Sequence, residues 1–322
     1  MKIITISHED VPAMPPCVYA AGYFDGMHRG HQELFKKAES VAHDLHCDWG
    51  ILTFDPDPWT VFKPDADLSH IQSLADREKT AEALGADIFC ILRFTKEFAS
   101  LSPGQFHDLL KKMNVQAIVT GMDFHYGYKN SGGIDTLSKS GIQNYVVSEI
   151  QEDGRKVSST RIEADIRKGN VSAAARLLSR PYSILGTIVH GYSRGDKLLG
   201  FPTANLKPDS GCILPAMGVY FGTVSWGGQS YYAMINVGKN PTFGNADVSI
   251  EAAIFDFSGS LYDKKVRFSF LERLRGEIRF ETPEALKAQL HKDEAMCRKL
   301  AAISFPNTNN PSMVYNGTCR KR

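Results

Sequence analysis

A change of pattern near Pro181 constrains this chain more than any other feature. Before it, short apolar runs alternate with stretches whose apolar residues recur every three or four positions. After it, strand-like runs follow one another with only turns between. The alternation opens with "CVYAAGYF", bounded by Pro15 and Pro16 before and Gly26 after, which has the signature of a buried strand. From Gly30 to Cys47, Leu34, Phe35, Ala38, Val41, Ala42 and Leu45 then give one apolar helical face. "WGILTF" is a second strand, ended at "DPDP" where two prolines forbid continuation. The pattern repeats through "LADREKTAEALGA" (helix), "DIFCILRF" (strand), "SPGQFHDLLKKMN" (helix) and "VQAIVTG" (strand). Such alternation requires parallel crossovers, so the first half is expected to be an α/β domain with a doubly wound parallel sheet. Its ligands should bind at the carboxyl ends of the strands.

Beyond Pro181, "YSILGTIVHGY", "GVYFGTVSW", "QSYYAMINVG", "VSIEAAIFDF" and "KKVRFSFLERL" are separated by Gly, Asp and Asn turns, and helix returns only from Pro283 to Leu300. This predicts an antiparallel β-barrel with a terminal helix. The boundary falls near residues 178 to 184, after the helix "SAAARLLS", giving domains at 1–180 and 181–305. The Asn- and Pro-rich stretch 306–322 is expected to be a disordered tail. A length of 322 residues suits two domains.

A net charge of +1 supplies no broad basic field, so neither nucleic acid nor a membrane surface is expected as a partner. The six cysteines show no paired spacing, as expected of reduced thiols in a cytoplasmic protein. The N-terminus lacks the long apolar run of a signal peptide, and no segment is apolar enough to span a membrane.

The loop after the first of these strands reads "AGYFDGMHRGHQ". A strand that ends in glycines and opens a helix gathers free backbone N–H groups and the positive end of the helix dipole at one point, where anions bind. His28 and His31, three apart, face one side there and can reach a polyphosphate, while Gly22, Gly26 and Gly30 let the backbone approach. Spacing alone leaves two other readings open: metal ligands, although no Cys or acidic residue completes a site, and ordinary surface or core histidines. In the second half, Gly191, Gly195 and Gly200 can wrap a phosphate chain but are equally normal between barrel strands, and no Walker P-loop occurs.

The string "GYFDGMHRGHQ" resembles the histidine signature of the nucleotidylyltransferase superfamily, and more closely that of prokaryotic bifunctional FAD synthetases, which join riboflavin kinase to FMN adenylyltransferase. "LTFDPDP", "EKTAEALGAD", "VTGMDFHYGYKNSGG" and "KVSSTRIEADIRKGN" follow in that family's order and at about its spacing. The resemblance implies that His28 and His31 hold the ATP triphosphate, with Gly22, Phe24 and Asp25 in the same loop. Asp123 would lie at the nucleotide, and Ser159, Thr160 and Arg161 would close on the phosphates. "SSTR" reads independently as a helix N-cap.

"GFPTAN" resembles the metal and ATP motif of riboflavin kinases, which implies ATP near Gly191 and Gly200 and Mg²⁺ on the hard oxygens of Thr203 and Asn205. The local alternative is a Pro-Thr turn with an Asn cap. Glu251 stands where that family carries its catalytic carboxylate, although by pattern alone it is a solvent-facing strand residue. Arg275 would touch flavin or nucleotide.

The implied function is ATP-dependent phosphorylation of riboflavin to FMN, then adenylylation of FMN to FAD with release of pyrophosphate. His28, His31 and Glu251 would be the catalytic residues and Mg²⁺ the cofactor. Riboflavin, FMN, FAD and ATP would be the partners, and a homo-oligomer is left open. Two alternatives are a kinase with an impaired adenylyltransferase half and a non-catalytic flavin-binding regulator. The chain departs from the family pattern at Asp57, where histidine is usual, and at Glu163, where a second arginine is common. Ser179 and Asp263 replace usual glycines, and Asn240 a usual arginine.

Overall fold

The computed structural model describes residues 1–63, 68–190, 203–209, 211–239 and 248–304. Gly191, Gly195, Gly200, Asn240 and the stretch 306–322 lie outside them. The chain divides into two compact units, Met1–Ser159 and Thr160–Arg322.

The first unit contains strands β1 (Lys2–Ile6), β2 (Cys17–Ala21), β3 (Asp48–Asp55), β4 (Ile88–Arg93), β5 (Val115–Gly121) and β6 (Gln143–Val147). They form one parallel sheet in the order β1-β4-β3-β2-β5-β6. Helix α1 (Arg29–Asp44) follows β2, and α2 (Pro58–Phe62) and α3 (Leu74–Ala83) follow β3. Next come α4 (Lys96–Ala99) and α5 (Pro103–Lys112) after β4, and α6 (Ile134–Leu137) after β5. A two-stranded hairpin, β7 (Gln151–Glu152) with β8 (Arg155–Lys156), completes the unit.

All five residues of β2 are buried because the strand serves two cores. Cys17, Tyr19 and Ala21 pack with Phe106, Leu109 and Leu110 of α5, while Val18 and Ala20 pack with Leu34, Phe35 and Ala38 of α1. The chain turns to β3 on one side of β2 and to β5 on the other, so the loop leaving the carboxyl end of β2 sits at the sheet's topological switch point.

The second unit begins with α7 (Ser159–Arg167, whose first residue belongs to the first unit) and α8 (Val171–Leu178). Six strands follow: β9 (Tyr182–Val189), β10 (Thr203–Pro208), β11 (Gly218–Trp226), β12 (Gln229–Lys239), β13 (Val248–Ile254) and β14 (Lys265–Arg275). Helix α9 (Pro283–Ser304) ends the described chain. The strands close into an antiparallel barrel in the order β10-β13-β12-β11-β14-β9. Alternate residues of β9 (Tyr182, Ile184, Gly186 and Ile188) are buried, the period-two pattern of a strand with one face in a core. Val219, Phe221, Met234, Ala253 and Phe255 form a separate cluster with Cys297 of α9.

Within the described residues the stretches read as helix and strand in the sequence form as such, with ends displaced by a few residues. Ser179 (φ 60°) and Asp263 (φ 62°) adopt left-handed backbone, the conformation in which glycine carries no Cβ penalty. That explains why glycine suits both positions.

Candidate active sites

In the first unit the site grows out of the turn between β2 and α1. Phe24 (φ 58°), Gly26 (φ 79°) and Met27 (φ 39°) all take positive φ, which folds the chain back sharply and delivers His28 to the N-cap of α1. His28 is 4% exposed, and its Nδ1 accepts the backbone N–H of His31 at 3.3 Å. The two imidazoles stack with centroids 3.6 Å apart and planes 19° from parallel. Phe24 meets His31 edge-on at 5.1 Å and Phe35 at 5.0 Å, so the ring pair is braced from the core side. A Cβ at Gly22 would lie 2.9 Å from the Phe24 ring, and one at Gly30 would lie 3.1 Å from the His28 ring. Each glycine therefore leaves room for a neighbouring ring, Gly22 more tightly than Gly30, and neither takes a positive φ.

Asp25 faces inward. Its carboxylate oxygens each accept a backbone N–H, from Ile71 and Gln72 at 3.0 Å, and its carbonyl accepts Ser159 Oγ at 2.9 Å. Burial pushes its carboxyl above the ordinary aspartate value, opposed by those two N–H groups and by His70 and Arg77. Asp25 is thus a brace of the loop, and Ser159 is held to it by that hydrogen bond.

Asp123 follows β5 and is exposed. Lys156 Nζ lies 2.9 Å from its Oδ2 and holds its carboxyl below the usual value. The β7–β8 hairpin therefore carries one anchor to Asp123 through Lys156 and another to the signature loop through the Glu152–Arg29 ion pair. Thr160 and Arg161 lie in the first turn of α7, on the second unit's side of the division.

Asp57 caps α2 by accepting Trp59 N–H at 2.6 Å, and its Oδ2 lies 3.8 Å from His70 Nδ1, which is also 3.9 Å from Asp25. The negative charge that the sequence adds at this position is met by a helix N-terminus and an imidazole. Glu163 is likewise engaged, accepting Arg167 Nε at 2.9 Å one turn along α7.

In the second unit the barrel register assembles the site. Thr203 and Asn205 are two apart on β10 and so share a face. Asn205 is directly opposite Glu251 on β13, and Glu251 is directly opposite Asn236 on β12. Paired residues point to the same face, with Cβ atoms ~5 Å apart. The next rung on that face is Thr203, Ala253 and Met234, the last two packed in the cluster with Cys297 of α9.

Glu251 is half-buried rather than solvent-facing, and burial pushes its carboxyl above the ordinary glutamate value. Asn236 was not singled out from the sequence. Only the register could reveal it, because an asparagine in "INVG" carries no signal of its own. Arg275 makes a bidentate pair with Asp293 of α9, with Nε and Nη2 at 2.9 and 2.7 Å from Oδ2, and its Nη1 donates to the Gly276 carbonyl. It therefore ties the end of β14 to the terminal helix.

Thr203 hydroxyl and Asn205 carboxamide oxygen are hard oxygens on one face of the barrel, a donor pair that fits Mg²⁺ when nucleotide phosphates supply further ligands, with the Glu251 carboxylate beside them.

A family model described as FAD synthetase matches residues 11–161, and one described as riboflavin kinase matches residues 178–301. A bifunctional riboflavin kinase/FMN adenylyltransferase of Listeria monocytogenes is 35% identical over 291 residues, covering 88% of this chain and 92% of that protein. One of Pseudomonas fluorescens is 35% identical over 311 residues, covering 94% and 99%. A crystal structure from Streptococcus pneumoniae, described as a macrolide-efflux protein, superposes with a TM-score of 0.85 at 35% identity and covers 92% of this chain and 99% of that one. No helix among the described residues of the present chain is long and apolar enough to cross a membrane. With two family models in tandem, and relatives aligned over almost their whole length, the chain belongs to the bifunctional riboflavin kinase/FMN adenylyltransferase family.

Proposed function

We propose that this chain phosphorylates riboflavin to FMN in its barrel and adenylylates FMN to FAD on its parallel sheet. The observation that carries the reading is the presence, in one chain, of a stacked imidazole pair at a helix start and a Thr203–Asn205–Glu251 row on a barrel face. We assign the chemistry to modules 1–180 and 181–305. The place of action is the cytoplasm, with riboflavin, FMN, FAD and ATP as partners and no role for nucleic acid or membrane.

In adenylyl transfer the FMN phosphate attacks the α-phosphorus of ATP and pyrophosphate leaves. No nucleophilic side chain is needed, so the protein's work is to align two anions and meet the charge that develops. The N–H groups at the start of α1, with His28 and His31, do this for the triphosphate. Thr160 and Arg161 are assigned to the phosphates as well, and Asp123 to the nucleotide. In the barrel, Glu251 takes the proton from the riboflavin 5′-hydroxyl as that oxygen attacks the γ-phosphorus. The raised proton affinity of its half-buried carboxyl suits a general base. Thr203 and Asn205 would hold Mg²⁺, which when bound offsets phosphate charge. Gly191, Gly200 and Arg275 complete the assignment on the kinase side.

The test is a chromatographic time course of the purified chain with FMN, ATP and Mg²⁺, and of a parallel tube supplied with riboflavin. Both FAD from FMN and FMN from riboflavin are expected. Absence of both products overturns the proposal, and FMN alone restricts it to the kinase.

A further inference from the structure

Helix α3 carries a buried cation that this mechanism leaves unused. Arg77 is 2% exposed, and its Nη1 donates to neutral oxygens, the Tyr23 carbonyl at 2.7 Å and Thr53 Oγ1 at 2.9 Å. Thr53 is wholly buried and donates its own hydroxyl to the same Tyr23 carbonyl at 2.9 Å. The guanidinium also lies over the Tyr23 ring, 4.6 Å from its centroid, while its Nε is buried without a hydrogen-bond partner. Its hydrogen bonds thus go to neutral oxygens rather than to the Asp25 carboxylate whose charge it partly offsets, so its burial is only partly compensated.

What the cation holds is the peptide bond that leads into Phe24. Phe24 is left-handed, a conformation that an aromatic residue adopts at a steric cost, and Gly26 and Met27 continue the positive-φ turn. A turn of this kind persists only where its surroundings over-determine it. Thr53 from β3 and Arg77 from α3 converge on one carbonyl from two elements of the fold. The ring of Phe24 then abuts His31, which stacks on His28.

The geometry points to Arg77 as a positioning residue for adenylyl transfer. It fixes the Tyr23 carbonyl, and through the Phe24 turn it sets the imidazole pair at the head of α1. It does not touch substrate. The inference rests on the adenylyltransferase reading of this site.

The experiment uses the full chain with Arg77→Met, which keeps an unbranched stem but removes the donors, and Arg77→Lys, which restores one donor to the Tyr23 carbonyl. FMN adenylylation is measured as kcat and KM for ATP and for FMN, alongside the thermal midpoint. Riboflavin phosphorylation by the same molecules reports that the protein is intact. Arg77→Met is expected to lower adenylylation kcat by about 30- to 100-fold, as misplacement on the ångström scale does. KM for ATP should change little, and Arg77→Lys should recover most of the loss.

Adenylylation within twofold of the unsubstituted chain in Arg77→Met overturns the inference. So does Arg77→Lys as inactive as Arg77→Met with the same fall in midpoint, because that marks a purely structural residue. If Arg77→Met does not fold, Thr53→Val decides: lowered kcat at an unchanged midpoint supports the clamp on Tyr23, and unchanged kcat overturns it. Failure of the unsubstituted chain to make FAD from FMN refutes the site assignment itself and is seen before any variant is compared.

Discussion

Replacing Gly30 with alanine separates the stability of α1 from the alignment of its histidines. The added Cβ would sit 3.1 Å from Cε1 and Nδ1 of His28 and 3.5 Å from the Val157 carbonyl oxygen. Carbon contacts are comfortable from about 3.5 Å, so the imidazole must yield by roughly 0.4 Å. Its Nδ1 accepts the His31 N–H at 3.3 Å, already at the long end of such bonds, and this retreat breaks the cap.

Losing the cap costs about 1 kcal/mol. Alanine in place of glycine within the helix returns about 0.5–1 kcal/mol. The melting temperature should therefore stay within about 2–4 °C of the starting value. Catalysis has no such compensation. If 1 Å of misplacement costs about a hundredfold, a displaced His28 ring lowers FAD formation by about tenfold. The assay is the initial rate of FAD from FMN and ATP, paired with a thermal melt and with riboflavin phosphorylation on the same sample. FAD formation within twofold of the unsubstituted chain at an unchanged melting temperature would refute the argument, because the ring would then not be held by the space above Gly30.

Three further outcomes follow from the same geometry. His31→Ala should abolish FAD formation and leave FMN formation nearly intact, while Asn205→Ala should do the reverse when FMN is supplied; loss of both activities in either variant would refute two separate sites. Because burial raises the Glu251 carboxyl and the base must be ionised, the kinase rate should climb with pH through a value above that of an ordinary glutamate. Glu251→Gln should remove that limb and lower kcat by about 10²–10⁴-fold with riboflavin still bound, and a limb at or below the ordinary value counts against the assignment. Ser179→Gly relieves a left-handed serine and should stabilise the chain by up to about 1 kcal/mol, read as a rise in melting temperature; a fall would mean that the serine makes a compensating contact.

The α/β alternation and the run of barrel strands were legible because both rest on periodicity, and so was the loop after β2. Strand β1 was not, since Lys2, Ile3 and Thr5 on this edge strand are exposed and leave no apolar run. Arg77 was invisible for the opposite reason. In "LADREKTAEALGA" charged residues are expected to face solvent, yet Asp76 and Arg77 are both buried because α3 turns them inward. Asn236 depends on which residue lies across from it, a relation set by the barrel's closure rather than by any neighbouring residue in the chain. The division after Ser159, ahead of the change of pattern near Pro181, also has a physical source. Helix α8 packs on β9 and β14, so a helical segment that resembles the first half in sequence groups with the second half in space.

The cap at the head of α1 settles where a hydrogen resides. Because Nδ1 of His28 accepts the His31 amide, its lone pair is committed, and the neutral ring must carry its hydrogen on Nε2. One member of the stacked pair is thus locked into a single tautomer by the backbone of the other. A proton added at Nδ1 would have to break the cap that starts the helix. In that tautomer His28 presents its Nε2–H as a donor of fixed direction.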